Sequence, residues 1–458
     1  MQQTEKIFLA KSEVKAQDLD HRRKINFSIK QYDNAFQKGR LQFADMDTAR
    51  ERAKNVKWRA IENLDKYLEQ FERIFTSHGG HVIWAENTED ARLEILKICK
   101  AKNAATVVKS KSMVTEEIQL NDFLKENNIE SIETDLGEFI QQLDGEPPYH
   151  IVSPAMHKSK EDIAKLFHET LQAESGLTPE QMTLVARANL RQKFQEAEIG
   201  ITGANFILAD IGGIAITENE GNARLSTTFP KTHIVLTGIE KVLPSINDLG
   251  LFWPLLATYG AGQNLTVYNT IFTGPRKETE IDGPDEMYVI LLDNGRANML
   301  ANEVIRESLY CIRCGACLNA SPVYKIIGGH AYGTAYPGPI GAVITPHLKG
   351  MKEYKHLSYA SPLSGAPTEA CPVKINLLEL LLENRHEAVE SHLTDKSERL
   401  IWQLWKRINL SRKMMNLPNN RTKNKTIKKM FGKGWGERRD LPDFAPRSFN
   451  QLWKERRG

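Results

Sequence analysis

HVIWAENTEDARLEILKICKAKNAATVVKSKSMVTEEIQLNDFLKENNIESIETD, residues 81–135, decides the fold. HVIWA (81–85), ATVVKS (105–110) and SIETD (131–135) are short apolar runs bounded by polar residues, which predicts strands. Between them, 88–102 and 114–127 repeat apolar residues at helical spacing. Alternation of this kind predicts an α/β fold with helices packed on a parallel sheet. The pattern continues through HIVSP (150–154), read as a fourth strand, and through helices over 159–172 and 178–198. IGITGANFILADIGGIAITENEGNARLSTTFPKTHIVLTGIEKV (199–242) then breaks its apolar runs with Gly, Asp and Asn, which predicts hairpins and tight turns. VYNTIF (267–272) and MYVILL (287–292) complete the set of buried strands, so the α/β domain is expected over 79–298.

On the N-terminal side, 1–78 reads as a helical segment. Residues 1–30 are polar and expected to be ragged, and the helical pattern from about 35 carries Ala60, Ile61, Leu64, Tyr67 and Leu68 on its apolar face. On the C-terminal side, 299–393 holds a cysteine module with a helix over 374–393, and 394–458 is a Lys/Arg-rich helical tail. A chain of 458 residues exceeds a single core. Its 41% hydrophobic and 26% charged residues are ordinary globular composition, and a net charge of +3 gives no nucleic-acid footprint. MQQTEKIFLAKSEVKAQ has no apolar signal core, and LFWPLLATYGAG (251–262) is too short to span a bilayer. Five cysteines, four of them in 311–371, do not form a disulfide framework, so a reducing cytoplasm is expected.

The cysteines carry the chemistry. CIRCGACLNASPVY places Cys311, Cys314 and Cys317 at C-x2-C-x2-C, the spacing that wraps three thiolates around one iron–sulfur cube. A ferredoxin run continues x3-C-P, but Ser321 and Pro322 stand there instead. The fourth ligand must come from elsewhere, and Cys371, followed by Pro372, offers it. YASPLSGAPTEACPVKI (359–375) has the outline of a second run, with Ser364 and Pro367 where cysteines would stand. A hydroxyl is a far poorer ligand than a thiolate and proline has no ligating atom, so a second cluster is not expected. One [4Fe–4S] cluster fits the four cysteines best. Zinc, or a site without metal, remains the alternative. Cys99, in LEILKIC, reads as a small core residue, and His330 as a hydrogen-bonding loop residue rather than a ligand.

Within the α/β domain, KSKSMVTEE (109–117) follows a strand and opens a helix. Ser110 and Ser112 read as caps, while Lys109 and Lys111 read either as solvated side chains or as an anion site. Glu218 and Glu220, in ENEGNARL, read as a polar turn or as catalytic carboxylates. The tail, with Trp402, Trp405, Trp435 and Trp453, reads as a solvated helix, a docking surface for partner subunits or a patch for peripheral membrane contact.

CIRCGACLN, PVYK, IGGHAYGTAYPGPIGAVITP and TEACPVKI, with KSKSMVTEEI, GITGANFILADIGGIAITENEGNARL, GIEKV and LLDNGR upstream, resemble the iron–sulfur B subunit of the bacterial L-lactate-utilisation complex. The resemblance runs from about residue 35 to SFNQLWKERR (448–457). It implies a CoA-transferase/sugar-phosphate-isomerase-like domain followed by a helical ferredoxin-type module. It also implies two clusters in the family, partner subunits, and oxidation of L-lactate to pyruvate. The family's first cluster maps onto Cys311, Cys314, Cys317 and Cys371, and the other three family cysteines fall on Ser321, Ser364 and Pro367. The chain is thus expected to be a non-catalytic electron-transfer subunit of a lactate-oxidising complex, with no nucleic-acid partner and no transmembrane segment. The alternatives are an assembly subunit with a structural cluster and a ligand-binding enzyme of the transferase-like fold.

Overall fold

Among the described residues, ten strands form two sheets: β1 (His81–Ala85), β2 (Thr106–Lys109), β3 (Glu130–Glu133), β4 (Ile199–Thr202), β5 (Phe206–Leu208), β6 (Gly213–Glu218), β7 (Thr232–Gly238), β8 (Val242–Leu243), β9 (Tyr268–Phe272) and β10 (Glu286–Leu292). The larger sheet, in order β1-β10-β7-β4-β2-β3, is parallel throughout. Its central strands are apolar on both faces, as sheets covered on both sides require. Helix Thr88–Ala101, capped by the Asn87 side chain, packs on one side. Helices Leu136–Asp144, Lys160–Leu171 and Pro179–Glu196 enclose β2 and β3 in a second apolar cluster. The smaller sheet, β8-β5-β6-β9, is mixed, and the antiparallel β5–β6 pair is one of the expected hairpins.

This computed structural model describes residues 2–417, 419–435 and 440–457. It divides into two compact units, Met1–Ala388 and Val389–Gly458. In the first unit, residues expected to be ragged form helices Gln3–Gln17 and Leu19–Gly39. Their order comes from burial: His21, Ile25 and Ile29, four residues apart, lie on one helical face, and Phe8 joins the same core. Helices Met46–Glu62 and Leu64–Ser77 follow.

Two sequence expectations fail locally. The 114–127 helix is split at Gln119, whose φ of 50° is left-handed, into Met113–Glu117 and Leu120–Glu126. HIVSP is not a strand. His150 Nδ1 accepts the backbone N–H groups of Val152 and Ser153, both at 3.1 Å, and curls the segment into an irregular turn. Its apolar residues are buried against the cysteine-bearing part of the chain instead of in a sheet. The preceding Tyr149 meets Gly328 and Gly329 so closely that a Cβ on Gly329 would lie 1.7 Å from the Tyr149 carbonyl oxygen.

The second unit contains helices Lys396–Asn409, Arg412–Met415, Asn420–Trp435 and Phe449–Arg457. Trp402 and Trp405 are exposed and meet edge to face at 5.6 Å. The expectation for the Trp435 side chain and for 436–439 lies outside the described residues. Among the described residues, no helix is long and apolar enough to cross a membrane.

Candidate functional site

Cys311, Cys314, Cys317 and Cys371 line one small cavity with Ile151, Ile340, Val373 and Ile375. All four thiols are free. Local backbone geometry brings them together. Arg313 (φ 61°) and Gly315 (φ 76°) are left-handed, and so is Lys374 (φ 48°) beyond Cys371. A non-glycine residue held there costs of order 1–3 kcal/mol, and such strain gathers at functional sites. Here it aims backbone N–H groups at sulfur. Arg313 N–H donates to Cys311 Sγ at 3.4 Å. Ala316 N–H serves Cys314, Ile340 N–H serves Cys317, and the Ile375 and Val373 N–H groups serve Cys371.

Burial opposes these amides and, with repulsion from the neighbouring sulfurs, pushes the Cys314 and Cys317 thiols up and Cys371 to about 12. Four crowded thiols with amide donors suit a soft, multivalent cationic group that would draw off their protons. Helix Met46–Glu62 clamps the remote arm: Arg50 donates to the Cys371 carbonyl at 2.9 and 3.1 Å and to the Glu369 carbonyl at 2.7 Å.

The three departures sit otherwise. Ser321 is buried, and its Oγ accepts Tyr324 N–H at 3.2 Å, starting a short helix. Ser364 is exposed, and Pro367 is buried in helix Ala366–Glu369. That helix packs on Ala316–Ala320. His330 donates from Nε2 to the Pro147 carbonyl at 2.8 Å. It also approaches Glu146 and His157, with ligand atoms within 4.8 Å, but Lys158 Nζ already holds Glu146 at 2.9 Å. Cys99 is fully buried and its thiol is pushed up to about 12 by burial, consistent with a core role.

The α/β candidates resolve differently. Lys109 is no anion receptor: it is fully buried and ion-paired to Glu133 at 2.7 Å and Glu116 at 3.3 Å. Ser112, not Ser110, caps the helix that follows. Lys111 donates to the Val152 carbonyl at 2.6 Å. Glu218 accepts the N–H groups of Ala223 and Arg224, and Glu220 accepts that of Leu136. These are turn and cap roles.

Residues the sequence reading passed over tie the sheet to the cysteine loop. Arg296, after β10, grips Glu117 with two nitrogens at 2.9 and 2.8 Å and Glu240 at 2.5 Å. Glu240 Oε1 accepts from Arg313 at 3.2 Å, and Tyr336 Oη donates to Glu117 at 2.7 Å. Burial would raise the Glu240 carboxyl, yet Arg296 and Arg313 hold it down at about 2. Lys57 Nζ donates to the Glu240 carbonyl at 2.5 Å. Two of these residues lie in GIEKV and LLDNGR, where isolated charges inside apolar runs were the available signal.

The LUD domain model matches residues 68–292. Lactate utilization protein B of Bacillus subtilis is 46% identical over 78% of this chain and 78% of its own. The electron transport protein YkgF of Escherichia coli K12 is 49% identical over 76% of this chain and 73% of its own. A crystal structure of a DUF162 family protein from Deinococcus radiodurans aligns with 50% of this chain and 98% of its own, at 12% identity and a TM-score of 0.29, too weak a likeness to extend the comparison.

Proposed function

Because the chain belongs to the lactate utilisation protein B family, we propose that it is an iron–sulfur electron-transfer component of L-lactate oxidation to pyruvate, with one [4Fe–4S] cluster on Cys311, Cys314, Cys317 and Cys371. The observation that carries the proposal is the convergence of four sulfurs, from segments far apart in sequence, on one amide-lined cavity. When bound, such a cluster supplies a one-electron carrier whose potential follows hydrogen bonding to sulfur and solvent exposure. The chain's own residues set both. The backbone N–H groups stabilise negative charge on the sulfurs, Ile151, Ile340, Val373 and Ile375 exclude water, and Arg50 fixes the Cys371 arm. The protein then works with other subunits of a lactate-oxidising complex, which supply the donor and the acceptor.

Anaerobic purification with iron and sulfide analysis tests the proposal. About four irons per chain and a reducible cubane signal in electron paramagnetic resonance are expected. Zinc in place of iron would refute the electron role, and about eight irons would refute the single site.

A second reading rests on Ser321 and Ser364, one used as a helix cap and the other solvent-facing. With one cluster and no relay, the chain serves as an assembly subunit. Replacing Cys314 with Ser separates the two: loss of growth on L-lactate with the complex still assembled favours electron transfer, whereas loss of assembly favours the structural role.

A further inference from the structure

At the C-terminal edge of the six-stranded sheet lies a cavity of about 270 Å3 that the electron-transfer reading leaves without a role. Its walls come from the segments after β2, β4 and β7, where open parallel sheets receive ligands. Ile151 and Arg313 line both this cavity and the cysteine-lined one, so they form the partition between them.

Two cations on its wall are incompletely partnered. Lys241 is 5% exposed, and among the described residues it makes no hydrogen bond or ion pair. Arg313 gives Nη2 to Glu240 and lays its guanidinium over the Tyr336 ring at 4.5 Å, but its Nη1 is buried without a partner. A buried, unpaired ammonium is strongly unfavourable. A cavity that keeps one beside a free guanidinium edge is built for an anion that arrives from solvent. The lining also carries Asp135, Glu218 and Glu220, which disfavour a dianion, and Leu256 and Ala257 offer apolar contact. Ser110 and Ser112 add hydroxyls.

We propose that this cavity binds a small organic monocarboxylate, its carboxylate taken by Lys241 and the free edge of Arg313. The site stands whether or not a cluster is bound next door, so ligand binding and iron content report on separate claims. A carboxylate held there lies one layer of side chains from the cysteine sulfurs.

Isothermal titration calorimetry on the full chain, with iron assayed on the same sample, tests this. The probes are sodium L-lactate and pyruvate, with L-lactamide and inorganic phosphate as controls. The carboxylates are expected to saturate one site, with the amide at least about tenfold weaker, as loss of a charge-assisted hydrogen bond implies. Lys241→Met is expected to weaken carboxylate binding about ten- to a hundredfold. The same variant should melt at or above the parent temperature without ligand, because it removes an unpaired buried charge. Lys241→Arg should bind within a few-fold of the parent. Should Lys241→Met fail to fold, Lys241→Gln carries the same comparison. Carboxylate and amide binding alike, Lys241→Met binding as the parent does, or phosphate binding without carboxylate binding would each overturn the proposal. Carboxylate binding by a chain that takes up no iron would sink the electron-transfer reading and leave this one standing.

Discussion

Replacing Arg296 with Met removes the cation between two buried carboxylates. In the parent, Arg296 and its partners Glu117 and Glu240 are each about 1% exposed. Two routes give the cost. Breaking a buried pair by deleting one partner costs about 3–5 kcal/mol. Holding Glu240 at about 2 rather than its ordinary 4.5 is worth about 3 kcal/mol at 1.36 kcal/mol per pH unit, of which Arg296 supplies the largest favourable share. For a unit of nearly 390 residues, with an unfolding entropy of about 2.1 cal/mol/K per residue, that is a fall of about 4–6 °C in melting temperature.

The pH dependence follows from the sign. Glu240 is depressed in the folded parent, so its contribution is complete above about pH 5 and is lost as pH falls through 4.5 toward 2. In the variant, Glu117 is buried without a cation and Glu240 keeps only Arg313, and both carboxylates can be relieved by taking up protons. The deficit should therefore be largest at pH 8 and shrink toward pH 5. Differential scanning calorimetry of parent and variant across that range reads both. A variant within about 1 °C of the parent at pH 7.5, or a gap that widens toward acid, would refute the account.

Arg50→Ala, which frees the Cys371 carbonyl from its clamp, should speed loss of iron to a chelator several-fold while moving the melting temperature by no more than a few degrees. Bleaching of the visible absorbance follows it. Gly329→Ala would drive a methyl to 1.7 Å from the Tyr149 carbonyl oxygen. A loss of about 3 kcal/mol or more is expected, and a neutral result in thermal unfolding would show that the contact relaxes freely. A chain ending at residue 393 keeps all four cysteines and the whole of the first compact unit, so it should fold and take up iron at the parent's stoichiometry. Metal analysis of the truncated chain decides this.

Much of the sheet was legible because its strands read as short apolar runs between polar residues, and β1, β2, β3 and β10 fall on predicted segments. HIVSP had the same local signature, yet His150 turned it toward the cysteine loop, a tertiary choice that period-two patterning cannot register. The four cysteines that line one cavity were singled out in the sequence because thiolate spacing is a local rule with few alternatives. Lys109 was misread because neighbours in sequence say nothing about Glu133, which meets it only after β2 and β3 pair. Arg296, Glu240 and Lys241 stayed hidden for the same reason. A lone charge beside an apolar run looks like a strand end until the sheet places its partners around it.

The reach of Arg50 across 321 positions to the Cys371 carbonyl bears on how the protein matures. At roughly 5–20 residues per second, a ribosome needs about 15–65 s to travel that distance. Through that interval the early helix waits for an arm not yet synthesised, and the first three thiols join that wait only for its last 60 or so residues. Were the proposed cluster bound, its loading would be a late event in biogenesis, and a nascent chain stalled before residue 371 would offer an open, three-sulfur site to any scavenging metal in the cell.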